Sequence, residues 1–263
     1  MIRRLRSARR VSGLAAITSV MLPLYAARDA MAPPPDRDRV RDLWTRRWSA
    51  SLLDLFGIER DVYDASGAPE SAPSRWRRDD RGARRGRLVV ANHRSAIDIG
   101  LVLEAFGGHV LSRADLASWP LVGAAARRVG TIFVDRGDSK SGASAIRAVA
   151  DRLRNGATVC LFPEGTTFPD DEVRPFHPGA FIAAARAKAD VLPVGIAYRT
   201  GSEATFFRET FLAHLTRIAE SPGTRVALCV GAPIEGGTAR DLAAKAHTAV
   251  SALVTNARAR VDR

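Results

Sequence analysis

The sequence predicts an α/β fold: a layered domain with a mixed, largely parallel sheet flanked by helices, plus an N-terminal helical segment that associates with a membrane. Three observations carry that prediction. From residue 87 onward, short apolar runs alternate with stretches of helical periodicity, the pattern of strands and helices layered around one sheet. Reactive polar residues fall repeatedly at the ends of the apolar runs, where sheets of this kind place their ligands. Nearer the start lies an uncharged segment, Val11 to Ala27, seventeen residues long and bounded by Arg10 and Arg28.

The 263 residues, 46% hydrophobic, suit one large domain with an N-terminal appendage. Residues 1–60 read as a basic and apolar membrane-associating segment, 61–86 as a polar connector, and 87–263 as the domain that carries the chemistry. The segment 11–27 is at the short end for a bilayer span, so a shallow or re-entrant anchor competes with a full crossing. A secretory signal is a third reading, because a basic start, an apolar centre and Ala30-Met31-Ala32 imitate its regions. After Pro33-Pro34-Pro35, residues Trp44, Trp48, Leu52, Leu55 and Phe56 recur at helical spacing, which predicts a helix that lies on a membrane interface or on the protein's own core. Strands are predicted near 87–91, 108–112, 131–134, 157–162, 191–197 and 225–230. Helices are predicted near 96–106, 119–128, 141–154, 178–188, 205–219 and 238–259.

The most informative stretch is His93-Arg94-Ser95-Ala96-Ile97-Asp98, directly after the apolar run Leu88-Val89-Val90-Ala91. A histidine released at a strand end, with an aspartate in the first turn of the following helix, can take a proton from an alcohol while the carboxylate holds its other ring nitrogen. Ser95-x-x-Asp98 also fits a plain helix capping box, which leaves Asn92-His93 without a reason. Three further blocks follow in order: Gly130 to Arg136, Phe162-Pro163-Glu164-Gly165-Thr166-Thr167, and Val191-Leu192-Pro193-Val194-Gly195-Ile196. Singly, each has a bland reading. Arg136 is placed to pair with a nearby acid, Pro163-Glu164-Gly165 fits an ordinary turn, and Pro193 marks a strand edge or bulge.

Taken together, the four blocks resemble the glycerolipid acyltransferase family, whose signature is Asn-His-x4-Asp, an Arg-ending block, Phe-Pro-Glu-Gly-Thr and a Val-Pro block. The resemblance spans about residues 88–196. It implies His93 as general base and Asp98 as its orienting partner, with Arg136, Glu164, Gly165 and Thr166 holding the polar head of a lysolipid acceptor. It further implies acyl-CoA or acyl-carrier protein as co-substrate, with no resident cofactor, and hence an active site facing the cytosol from the inner or cytoplasmic membrane. The acceptor read first is 1-acylglycerol-3-phosphate, giving phosphatidic acid. Where the family's bacterial pattern often has an arginine after Gly-Thr, this chain has Thr167-Phe168-Pro169-Asp170-Asp171-Glu172. That departure is similar to the Glu-Gly-Thr-Thr variants among lysophospholipid and lyso-ornithine lipid acyltransferases, and the acidic run offers a way to recognise an amine-bearing headgroup. An ester hydrolase and a non-catalytic lipid-binding module remain the readings from other classes.

The net charge of +12 is concentrated. Residues 1–10 carry five arginines and no acid, residues 75–87 seven arginines against two aspartates, leaving +2 for the rest. No basic stripe with interleaved aromatics occurs, so no nucleic-acid partner is expected; basic clusters beside apolar segments suit an anionic membrane surface instead. Cys160 and Cys229 sit in apolar runs and read as buried free thiols, neither Ser95 nor Cys160 is placed as a nucleophile, and no Cys or His spacing matches a metal site. His109, His177, His214 and His247 are read as structural, with His177 close enough to the Glu164 block to border the site.

Overall fold

The computed structural model describes residues 1–67, 85–119, 121–135, 137–206 and 208–263. In chain order the elements are α1 (Ile2–Met31), α2 (Arg37–Leu55), β1 (Ile58–Asp64), β2 (Arg87–Ala91), α3 (Ile97–Phe106), β3 (His109–Arg113), α4 (Val122–Arg128), β4 (Ile132–Val134), α5 (Ser139–Arg154), β5 (Thr158–Leu161), α6 (Gly179–Ala187), β6 (Asp190–Tyr198), α7 (Phe211–Glu220), β7 (Thr224–Val230) and α8 (Ala239–Val261). The seven strands form one sheet in the order β1-β7-β6-β2-β5-β3-β4. β6, β2, β5, β3 and β4 run parallel, and β7 joins antiparallel to β6 with β1 parallel beside it. The mixed, largely parallel sheet expected from the sequence is therefore present.

Alternation along the central strands builds two apolar layers. On β6, Leu192, Val194, Ile196 and Tyr198 face the side covered by α3, with Leu101, Val102 and Phe106. Val191 faces the other side with Val149 and Leu153 of α5, Phe181 of α6 and Val250 of α8. Gly195 is where α8 crosses closest: a Cβ there would meet the Leu253 carbonyl carbon at 2.2 Å, so any side chain would push the helix off the sheet.

One strand lies outside the six expected. Ile58-Glu59-Arg60-Asp61-Val62-Tyr63-Asp64 pairs in register with Thr224–Val230, yet it is rich in charge because it forms an edge, where charged side chains discourage further pairing. Strand β1 straddles the boundary at residue 60, and residues 68–84 of the connector, with most of the second basic cluster, lie outside the described residues. The helix expected from 205 begins only at Phe211, where the Thr210 side chain accepts from the Ala213 amide.

The N-terminal residues form a continuous helix through Pro23, and it lies against the domain. Arg10 is 2% exposed. Its guanidinium donates to the carbonyls of Leu55 and Phe56 at the end of α2 and of Ile218, Ala219 and Ser221 at the end of α7. A cation there gathers carbonyls from two helix ends and sits at the negative end of two helix dipoles. Further along, Trp48 donates to the Thr18 hydroxyl at 3.1 Å and Arg128 of α4 lies 5.8 Å from the Tyr25 ring. Among the described residues α1 is the helix long and apolar enough to cross a membrane.

Candidate active site

Strand β2 ends at Ala91, and the next residue extends the ladder with its side chain. The Asn92 amide donates to the Ile196 carbonyl at 3.0 Å and its oxygen accepts from the Ile196 N–H at 2.8 Å. Asn92 thus belongs to the sheet, and His93 is the first residue free of it. The His93 ring stacks on Phe162, the residue after β5, with centroids 4.0 Å apart and planes at 12°. Its Nδ1 lies 2.9 Å from Asp98 Oδ2.

Asp98, wholly buried in the first turn of α3, meets four donors. Oδ2 accepts from the His93 ring and from the backbone N–H groups of Arg94 (2.6 Å) and Ser95 (2.8 Å); Oδ1 accepts from the Tyr198 hydroxyl at 2.6 Å. One carboxylate thus holds the His93 ring and accepts the two backbone amides ahead of α3. Ser95 does not occupy the cap itself: Ala96 does, while the Ser95 hydroxyl accepts from the Ile97 amide at 3.2 Å. The Ala96 amide goes instead to His214 Nε2, 3.2 Å away on α7. With Nδ1–H assigned toward Asp98 from this network, the lone pair of His93 sits on Nε2. That nitrogen has no partner among the described residues, and the side chain is 15% exposed.

Glu164 is brought to the same place by a different contact. Its Oε2 accepts from the backbone N–H of His93 at 2.7 Å and its Oε1 from that of Arg174 at 2.8 Å. Burial pushes its pKa up, against the pull of those two amides. Both oxygens are thus engaged by backbone, and the carboxylate ties the His93 turn to the loop after β5. Gly165 has φ +77°, and a Cβ there would meet the His177 ring at 2.8 Å, so glycine is required on both counts. Thr166 is exposed beside it. Arg136 lies outside the described residues.

The acidic run is occupied internally. Asp171 is bridged by Arg94 and by Arg258 of α8, and Asp170 and Glu172 both pair with Arg174. Each carboxylate expected to offer itself to an amine headgroup already has a guanidinium.

A cavity of about 270 Å3 opens beside the site. Its walls come from α1 (Leu14, Met21), α2 (Trp44, Trp48), the turn into α3 (Ala96, Ile97) and further apolar side chains of α4 and α7. The tryptophans expected on either a membrane or the core thus line an apolar, partly open cavity. Cys160 and Cys229 are buried free thiols; burial pushes Cys160 far up and Cys229 up to about 11, which leaves neither as a thiolate nucleophile. Among the described residues no His, Cys, Asp and Glu cluster that could hold a metal occurs.

Residues 40–197 match the family described as Acyltransferase. The chain is 32% identical over 253 residues to a lyso-ornithine lipid O-acyltransferase of Pseudomonas aeruginosa, a match covering 94% of this chain and 91% of that protein. It is 33% identical over 113 residues to a 1-acyl-sn-glycerol-3-phosphate acyltransferase of Neisseria gonorrhoeae, covering 43% of this chain and 44% of that one. Among solved structures, the 1-acyl-sn-glycerophosphate acyltransferase PlsC of Thermotoga maritima shares the fold, with a TM-score of 0.70 over 99% of this chain and 100% of that chain at 23% identity. The family match over more than half of the residues and the relative aligned along nearly its whole length agree with the fold: the chain belongs to the acyltransferase family.

Proposed function

We propose that the protein transfers a fatty acyl group from an acyl thioester to the free hydroxyl of a lysolipid, with His93 as general base. The observation that carries this reading is the unpartnered Nε2 of His93, on a ring fixed by Asp98 on one side and Phe162 on its face. Nε2 takes the hydroxyl proton as the oxygen attacks the thioester carbonyl, and Asp98 stabilises the imidazolium that forms. Collapse of the tetrahedral intermediate breaks the carbon–sulfur bond, and the departing sulfur takes the proton from His93. The apolar cavity beside Ala96 and Ile97 suits the acyl chain. No acyl-enzyme is involved. Release of free fatty acid without acceptor in a purified assay would identify a hydrolase instead.

We assign 1-acylglycerol-3-phosphate as the first acceptor, with Arg136, Glu164 and the Gly165-Thr166 turn at its headgroup. Lyso-ornithine lipid is the second reading, favoured by the relative of that name aligned along nearly all of both chains. Competition between the two lysolipids, each with acyl-CoA and with acyl-carrier protein, decides acceptor and donor together. Arg136→Ala is expected to lower affinity for the anionic acceptor by about 2–5 kcal/mol, with Arg136→Lys recovering part. Supply of either donor places the site in the cytosol, on the inner or cytoplasmic membrane. The exposed apolar side chains Ile2, Leu5, Val20 and Leu24 of α1 provide the contact with lipid. Replacing those four with Gln is expected to move the folded protein from the membrane to the soluble fraction; unchanged fractionation removes α1 as the contact.

A further inference from the structure

The two oxygens of Asp98 keep unlike company. Oδ2 gathers the His93 ring and two backbone amides, whereas Oδ1 meets the Tyr198 hydroxyl at 2.6 Å and no other hydrogen-bond donor among the described residues. Tyr198 is the last residue of β6, on the face beneath α3 that also carries Val194 and Ile196. It is 1% exposed. The Arg94 guanidinium lies 5.8 Å from its ring centroid, and Arg258 of α8 donates to its carbonyl. Burial, then the neighbouring Asp98 charge, pushes the phenol well above its usual range, so it remains a donor at any working pH.

We infer that Tyr198 is a positioning residue: its hydroxyl holds the Asp98 carboxylate in the rotation that presents Oδ2 to His93, and by sharing the charge on Oδ1 it limits how firmly Asp98 retains a proton on the imidazole. The inference rests on His93 acting as the base. Asp98 is wholly buried, so loss of the phenol takes away the one donor that Oδ1 has among the described residues. Without the phenol the undivided charge of Asp98 holds the imidazolium more tightly, and His93 stays protonated, and so inactive as a base, to higher pH. The other charged or titratable groups facing the pair are Glu164 from the β5 loop, Arg94 with its partners Asp171 and Arg258, and His214 from α7. All of these remain when Tyr198 becomes Phe, so a change in pH profile reports the hydroxyl.

The test uses the full-length protein with a lysolipid and acyl-CoA. For Tyr198→Phe, kcat is expected to fall about tenfold with acceptor KM unchanged, and the acid limb of the kcat/KM profile to move up by about 0.5–1 pH unit. Placing 3-fluorotyrosine at 198, a stronger donor of the same shape, is expected to keep kcat within about twofold of wild type and move the acid limb down. An unmoved acid limb in Tyr198→Phe overturns the inference, as does a fluorotyrosine protein that behaves like the Phe variant. His93→Ala in the same assay separates the two claims. Retained activity there removes the base reading, whereas an inactive His93→Ala beside an unshifted Tyr198→Phe removes the role of Tyr198 alone.

Discussion

Two histidines stand on either side of the start of α3, each held through Nδ1 by a carboxylate five positions away in sequence. His93 reaches Asp98 at 2.9 Å and His214 reaches Glu209 at 3.1 Å. They differ in what the other nitrogen does. His214 Nε2 accepts the Ala96 amide and lies beside the Ser95 hydroxyl, with the side chain fully buried. His93 Nε2 has no partner among the described residues, and its ring is 15% exposed. A histidine–carboxylate pair is therefore no sign of a base by itself: the vacant nitrogen and its access to substrate separate a reactive imidazole from one that serves as a peg for a helix.

The largest effect expected from that contrast is on turnover. His93→Ala should depress kcat by about two to four orders of magnitude while lysolipid binding stays near wild type, measured by single-turnover kinetics and equilibrium binding. Near-normal activity breaks the distinction. Asp98→Asn should lower kcat by about 10- to 100-fold, and the matching Glu209→Gln by less than about threefold, because it orients a histidine with no free nitrogen. Equal losses from the two carboxamides would erase the difference between the pairs.

For His214 the effect should appear in stability. His214→Ala leaves the Ala96 amide without its acceptor and opens space under α7, so unfolding free energy should fall by about 2–4 kcal/mol in a denaturant titration. Turnover of the folded fraction should fall less than about tenfold. A further effect is on pH dependence. Burial, then neighbouring arginines, lowers His214 and His109 from 6.5 to about 4. Well above 6.5 neither group carries a proton in either state. Below it the unfolded chain binds protons that the folded chain refuses, so stability falls from 6.5 down to about 4, by about 1–3 kcal/mol for each histidine. His109→Asn, which keeps a donor for the Gly130 carbonyl now served by Nδ1, should flatten that slope by about half. An unchanged slope assigns it to other groups.

What could be read from the chain divides along the same line. Strands such as Leu88–Ala91 and helices such as 139–154 announce themselves through local periodicity, and the His93–Asp98 pair through proximity in sequence. The edge strand β1 stayed hidden because its charges mask alternation. The partner of Asp98 Oδ1 and the partner of the Asn92 side chain lie 100 and 104 residues downstream, and only the pairing of β2 with β6 brings them near. A signal was present in the alternation of Leu192, Val194, Ile196 and Tyr198, which puts a tyrosine on the apolar face of a strand that ends at the site. Glu164 was expected at the headgroup; the backbone amides that it holds lie 10 residues ahead and 71 residues back, and no residue pattern announces such a brace.

The arginine that reaches from the first helix into the ends of two others has a mechanical meaning. Because α7 also carries the histidine that meets the α3 amide, a rigid line of contacts runs from Arg10 through α7 to the turn holding His93. A surface that seats α1 is therefore linked through α7 to the turn that carries His93, the proposed base. Loosening Arg10 is expected to shift the His93 turn relative to any surface on which α1 rests, without touching the His93–Asp98 pair itself.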